Sequence, residues 1–563
     1  MDAMLVLLLI GVYLAAAIAW PLLHSRRPQI ARWLPLAAGV VTLGLAALFA
    51  GRGNQIVILS TWTSGVSGGS PLALVADPLA LLFVAMIALI IIAASLVGPL
   101  GSAGDDLLPI DIALWMAGAA VAFTLAGNAA TLALAWVLMD MAILSALRFL
   151  QPVATRPVRI QALAFNYIGA LLVFIAGVTA SQPRTDLANQ VWTVGTMTGL
   201  PAVFLTLAAW LRLGAYPFQR NIPTGGASRA ATLLRFLPLT AGAYLVARAA
   251  SVAGGAPIEG WGWPLVLGLA TLAAAGMAWL AARRNEALAW LAVYAASGLL
   301  LGLTSGQVEV GALALLGSVG LILAVAMLFL AEPLLGTAMS AVQRRWAQVA
   351  MLVGLASVWG LPLTAGFLYR WGVVRSDFEA SALLALVFTV VAAAVAAAPV
   401  WLIARDVWGM RRAHAAATSP ATRDALLGIS LLAVTIVLVG VAPTIIAPAA
   451  EVASGPVGLS VVADGVRGTP PDMAVVIAGL LLGTWLAGLA LRRVRAQLPP
   501  DSRTVRDLTA ILSLEWLYRR RWRPVRAGLG LFQAAASLGA GERYVGMLVI
   551  FAFILALALL AQS

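Results

Sequence analysis

The chain contains no cysteine, no lysine and only two histidines, His24 and His414. Without cysteine there is no disulfide, no thiolate zinc site and no iron–sulfur cluster, and two histidines in stretches that read as loops or helix ends cannot supply a haem or a metal centre. Charge is scarce too: Asp, Glu and Arg make up only 10% of the residues, and all 35 basic ones are arginine. No nicotinamide or flavin fingerprint and no nucleophile–base pair is visible, so no cofactor is expected and a stand-alone enzyme is the least favoured class. The formal net charge of +13 does not point to nucleic acid, because the arginines lie in short loops between apolar segments, where retention of positive charge on the cytoplasmic side accounts for them.

What the chain has in abundance is apolar sequence. Hydrophobic residues make up 62% of it, in runs of roughly twenty that recur from end to end. A bilayer demands such runs, since each crossing has to satisfy its own backbone as a helix. The expected fold is an all-α integral membrane bundle of about sixteen transmembrane helices, from residues 4–22 to residues 544–561, with 72–98 read as one span. Met1–Trp20 lacks a charged leader and a cleavage site, so it reads as the first span and not as a signal peptide. Basic residues cluster in alternate loops, at Arg26, Arg27 and Arg32, at Arg148, Arg156 and Arg159, at Arg344 and Arg345, and at Arg405, Arg411 and Arg412. That alternation places both termini on the outer side of a cell membrane.

The expected divisions are N-terminal helices (1–98), a first inverted repeat (110–250), a second (262–404), C-terminal helices (424–492), an amphipathic surface segment (493–543) and a last crossing (544–561). In the surface segment Ile511, Leu514, Tyr518, Trp522 and Val525 recur at helical spacing beside Arg519, Arg520, Arg521 and Arg523, the pattern of a helix lying along the membrane. Pro524 interrupts it, and a solvated loop is the alternative.

Two spans carry breaks in matching places. The seventh ends in Arg212-Leu-Gly-Ala-Tyr-Pro217 and runs on to Pro223; the twelfth holds Gly360-Leu-Pro362-Leu-Thr-Ala-Gly366 and then Arg370. They stand an odd number of spans apart, so the broken helices run in opposite directions, as inverted repeats require. Paired interrupted helices are a sequence pointer to a transport site, whereas a simple proline kink is the plainer reading. Asp77, before Pro78 at a span start, reads as a helix cap, and Glu332 and Glu309 read as solvated residues near span ends.

In this order and spacing, Asp77-Pro-Leu-Ala-Leu-Leu-Phe83, Asn128 with Trp136, Arg212 through Pro223, Thr240 through Arg248 and Gly360 through Arg370 resemble the antiporter-like membrane subunits of respiratory complex I, of multisubunit cation/proton antiporters and of membrane-bound hydrogenases. The span count and the surface segment are most similar to the long distal subunit of complex I. The resemblance implies proton or cation movement along a hydrated mid-membrane axis carried by a glutamate and several lysines, with other membrane subunits and redox subunits as partners.

This chain departs from that pattern at each carrier. The glutamate expected after Trp136 is Val137, with Asp140 three residues on; the two broken-helix lysines match Arg212 and Arg370. The histidine before the eighth helix falls at Leu234, beside Arg235, and a further lysine falls near Asn285, flanked by Arg283, Arg284 and Glu286. Arginine stays protonated, so it holds anions and orients water but does not relay protons. The expected charge network is therefore Asp140, Arg212, Arg235, Arg284, Glu286 and Arg370, in a subunit of a complex I-like or hydrogenase-like assembly whose own pumping is reduced or lost. The alternatives are a secondary proton/sodium antiporter subunit and the membrane subunit of an inorganic-carbon uptake system.

Overall fold

In the computed structural model, residues 2–514 are described except for 61–71, 99–108, 151–155, 181–190, 193–196, 220–228, 305–307, 410–419, 443–469 and 498–501 and for positions 51, 53, 255, 256, 259, 261, 338, 380 and 381. Helices α1 (Asp2–Arg26), α2 (Pro28–Ala31) and α3 (Leu34–Phe49) lead into a hairpin of β1 (Gln55–Ser60) and β2 (Leu72–Ala76). Then come α4 (Pro78–Val97), α5 (Ile110–Thr124), α6 (Ala129–Leu150), α7 (Arg156–Ala180), α8 (Leu200–Leu213) and α9 (Arg229–Ala253). The second half comprises α10 (Gly262–Leu280), α11 (Arg284–Thr304), α12 (Val308–Leu335), α13 (Ala341–Trp359), α14 (Ala365–Glu379) and α15 (Leu383–Gly409). Helices α16 (Pro420–Val441), α17 (Pro471–Gln497) and α18 (Arg503–Leu512) complete the described chain.

Among the described residues, 11 helices are long and apolar enough to cross a membrane, and Ile110–Thr124, Phe165–Ala180 and Leu200–Leu213 are shorter apolar helices. The chain is a multi-pass helical membrane protein. Residues 544–561 and the surface pattern from Tyr518 to Val525 lie outside the described residues. One expectation is corrected. Residues 72–98 are not a single span, because Leu72–Ala76 pairs antiparallel with Gln55–Ser60 and the helix begins at Pro78. The hairpin is tied to the start of α6: Val75 N donates to Leu125 O (2.7 Å), Gly127 N to Ala73 O (2.8 Å) and Ala73 N to Thr131 Oγ1 (2.9 Å). These bonds satisfy backbone that a helix there would have satisfied internally.

Helix α12 is the centre of the bundle, with every residue from Leu313 to Ala331 buried, whereas α17 is largely exposed. It packs against α9, α11, α13, α14 and α16. Lipid is as apolar as leucine, so this contact depends on close fit. Gly317 of α12 shows how close: a Cβ there would lie 2.2 Å from Tyr369 N of α14.

Within the expected surface segment, α18 is a short helix capped by Ser502, with Val505 buried and Ile511 exposed; it ends at Leu512, where the expected Ile511–Val525 pattern begins, and most of that pattern lies outside the described residues. Its last turn meets the end of α8, where Tyr216 Oη donates to Leu512 O (3.0 Å). Alongside, Arg495 of α17 donates to the carbonyls of Trp279 (2.9 Å), Leu280 and Ala281 (both 3.4 Å), where the C-terminus of α10 favours a cation.

Candidate functional site

Both interrupted helices stop in the same way. Gly214 after α8 (φ 61°) and Gly360 after α13 (φ 73°) are left-handed C-caps, a conformation that costs glycine no Cβ clash. Pro217 and Pro362 follow, and neither can restart the ladder at once. Pro223 lies outside the described residues. Gly366, in the first turn of α14, has its own reason to be glycine: its amide donates to Ser357 Oγ (3.1 Å), and a Cβ there would lie 1.7 Å from Ser357 O. The backbone of α14 thus rests directly on the last turn of α13. At the first break, Gly242 of α9 plays a similar part, since a Cβ would lie 2.7 Å from Leu213 N.

The first break carries a buried ion pair. Arg212, in the last turn of α8, donates from Nη1 to Asp140 Oδ1 of α6, and the two side chains are 1% and 4% exposed. The same Nη1 lies 3.5 Å from Asn166 Oδ1 of α7. The guanidinium sits 4.7 Å from the Trp136 ring and 5.6 Å from that of Phe123, where ring quadrupoles add to the attraction. Trp136 is seated against Gly169 of α7, where a Cβ would lie 2.3 Å from the indole. Asp140 Oδ2, Arg212 Nε and Nη2 and Trp136 Nε1 are buried with no protein partner, so the pair keeps donors and an acceptor for water. Asn128, at the other end of the Asn128–Trp136 spacing, caps α6 by accepting from Thr131 N and Oγ1 (both 2.9 Å).

The remaining candidates are more scattered. Arg235 of α9 is 2% exposed and donates to Ala289 O of α11 (3.3 Å). Arg370 of α14 is 5% exposed; its Nη2 donates to Val358 O (2.9 Å), its Nη1 has no protein partner, and it lies so close to Gly360 that a Cβ there would stand 2.2 Å from Arg370 Cδ. Arg284 is only partly buried and grips Glu332 Oε1 through Nε (3.2 Å) and Nη2 (2.6 Å). Glu332 is therefore an ion-pair partner and not a solvated end residue. Glu286 is exposed in the first turn of α11. The structure brings Asp140 and Arg212 together, leaves Arg235 and Arg370 buried apart from any carboxylate among the described residues, and puts Arg284 and Glu286 at a helix start.

A second buried pair was not foreseen from the sequence. Arg248 of α9 binds Asp77 through both nitrogens, Nη1 to Oδ2 at 2.7 Å and Nη2 to Oδ1 at 2.9 Å, and its Nε donates to Tyr244 Oη (3.1 Å). Asp77 also caps α4 by accepting from Ala80 N (2.8 Å), so it does two jobs. The available signal was Arg248 itself, a charge inside an apolar run. Asp377 was missed as well: it is buried near the end of α14, accepts from Thr389 Oγ1 of α15 (2.9 Å) and keeps Oδ1 without a partner.

No protein-family model matches the chain, and no curated protein matches it in sequence. Solved structures do. A chain of the Mrp complex from Dietzia sp. DQ12-45-1b superposes with a TM-score of 0.66 at 20% identity, covering 99% of this chain; this chain spans only 62% of that longer one. A chain of the membrane-bound sulfane sulfur reductase, an archaeal respiratory membrane complex, gives 0.64 at 16% identity over 82% of this chain and 99% of the other. A chain of respiratory complex I from Thermus thermophilus gives 0.64 at 18% identity over 80% and 100%. At such low identity the likeness is one of architecture, and this chain has the fold that those three membrane complexes share.

Proposed function

We propose that the chain is an antiporter-like membrane subunit of an energy-converting complex, in which it supports ion translocation while its own proton carriage is reduced or lost. The observation that carries this reading is the Asp140–Arg212 pair at the end of a broken helix. Its position supports a place on a transport axis. Its chemistry argues against a carrier, because arginine does not give up its proton and so cannot pass one along. Arg370 beside the second break adds a further fixed cation where a relay would need a group that titrates. The chain works in a cell membrane, with the arginine-bearing loops inside and both termini outside. Residues 110–250 and 262–404 act as two inverted repeats, each with one broken helix.

The partners are other membrane subunits of the same assembly, with redox subunits supplying any electron chemistry. Affinity purification of the chain in mild detergent, with identification of every co-purifying protein, tests this. Recovery with quinone- or hydrogenase-type redox subunits is the expected result. Recovery alone, or with only antiporter-like chains, would overturn it.

A further inference from the structure

We propose that Arg235 is the binding site of a small monovalent inorganic anion. Three arginines in α8 and α9 are almost completely buried: Arg212, Arg235 and Arg248. Two of them meet a carboxylate, Asp140 for Arg212 and Asp77 for Arg248. Arg235 meets none among the described residues. Its contacts are the carbonyl of Ala289 at 3.3 Å and the face of Phe329 at 5.2 Å, with Phe236 packed edge-on against that ring at 5.3 Å.

The nearby acids are committed elsewhere. Glu332, one turn along α12 from Phe329, is held by Arg284, and Glu286, one turn along α11 from Ala289, is exposed. A guanidinium cannot shed its charge to escape burial, and an unpaired buried cation is far more costly than one carbonyl and one ring face offset. A small anion fills the place that a carboxylate takes at Arg212 and Arg248. The planar fork of donors suits it, and the aromatic and alanine surroundings limit its size. This site goes beyond the proposed subunit role and holds whether or not protons move through the chain.

The test uses the purified full-length protein in detergent, with radiolabelled chloride as the probe and gluconate, a much larger anion, as the matched control salt. Saturable chloride binding is expected, weakened at least about tenfold in Arg235→Gln, the scale of losing a hydrogen bond to a charged group, and unchanged in Arg503→Gln at an exposed arginine. The wild-type protein should also unfold at a higher temperature in chloride than in gluconate, since a ligand specific to the folded state stabilises it. If Arg235→Gln does not fold, Arg235→Lys and bromide replacement in the wild type decide the matter: bromide density beside the guanidinium supports the site. Absence of that density, chloride binding and stabilisation that are missing in the wild type, or binding that is unaltered in the Arg235 variants, overturns it.

Discussion

Arg212 and Asp140 form an ion pair inside the bundle, one from the last turn of α8 and the other from the middle of α6, with almost no solvent access to either side chain. A buried pair of this kind holds its partners in place more than it adds net stability, and removing one member costs far more than removing both. Arg212→Met is therefore expected to destabilise the protein by about 3–5 kcal/mol, whereas Asp140→Leu combined with Arg212→Met should recover most of that loss. A double-mutant cycle on thermal unfolding in detergent measures the coupling; additive single effects would show that the pair is not a unit.

Asp77 gives a graded version of the same experiment. Asp77→Asn keeps an oxygen for the Ala80 amide but removes the charge that meets Arg248, while Asp77→Ala removes both. Asn is expected to be strongly destabilising, with Ala worse by about 1 kcal/mol, the usual worth of a helix cap. Equal effects of the two would mean that the cap contributes nothing.

Glycines packed tightly against a neighbour should separate from glycines that face open space. Gly366→Ala and Gly169→Ala would drive a Cβ to 1.7 Å from Ser357 O and 2.3 Å from the Trp136 ring, whereas a Cβ at Gly11 or Gly479 meets nothing within 4 Å. The first two should cost about 1–3 kcal/mol or more through overpacking. The second two should be neutral or stabilising by up to about 1 kcal/mol, since alanine is the better helix former. Unfolding midpoints of the four variants check this.

Helix α18 should loosen when its tie to the first break is cut. Tyr216→Phe removes only the hydroxyl that donates to Leu512 O, worth about 1 kcal/mol. Hydrogen exchange of the 503–512 amides should quicken while that of α12 stays unchanged. Unaltered exchange in α18 would show that other contacts hold the helix there.

How far the sequence carried can be judged from particular residues. Helix positions were legible because the bilayer imposes a run length that arginine-bearing loops punctuate. The breaks were legible because Gly214 with Pro217 and Gly360 with Pro362 leave a helix few alternatives. The hairpin was missed because Leu72–Ala76 is as apolar as the span that follows it, and only Pro78 behind Asp77 marks where one element becomes another. Partner choice was partly hidden. Asp140 and Arg212 were placed in one network through the family resemblance, but the Asp77–Arg248 pair joins residues 171 positions apart, and no local pattern encodes that distance. Likewise, the exposure of Glu286 depends on where α11 begins, a detail that composition does not set.

On the proposed function, the arginines at the two breaks hold charge without carrying protons. Proton uptake by liposomes containing the purified chain, driven by an imposed potential and compared between the wild type and Asp140→Asn, tests it most directly. Flux no greater than in empty liposomes is expected, with no difference between the two proteins. Robust uptake by the wild type that disappears in Asp140→Asn would contradict it, because Asp140 would then be a working proton carrier despite its arginine partner.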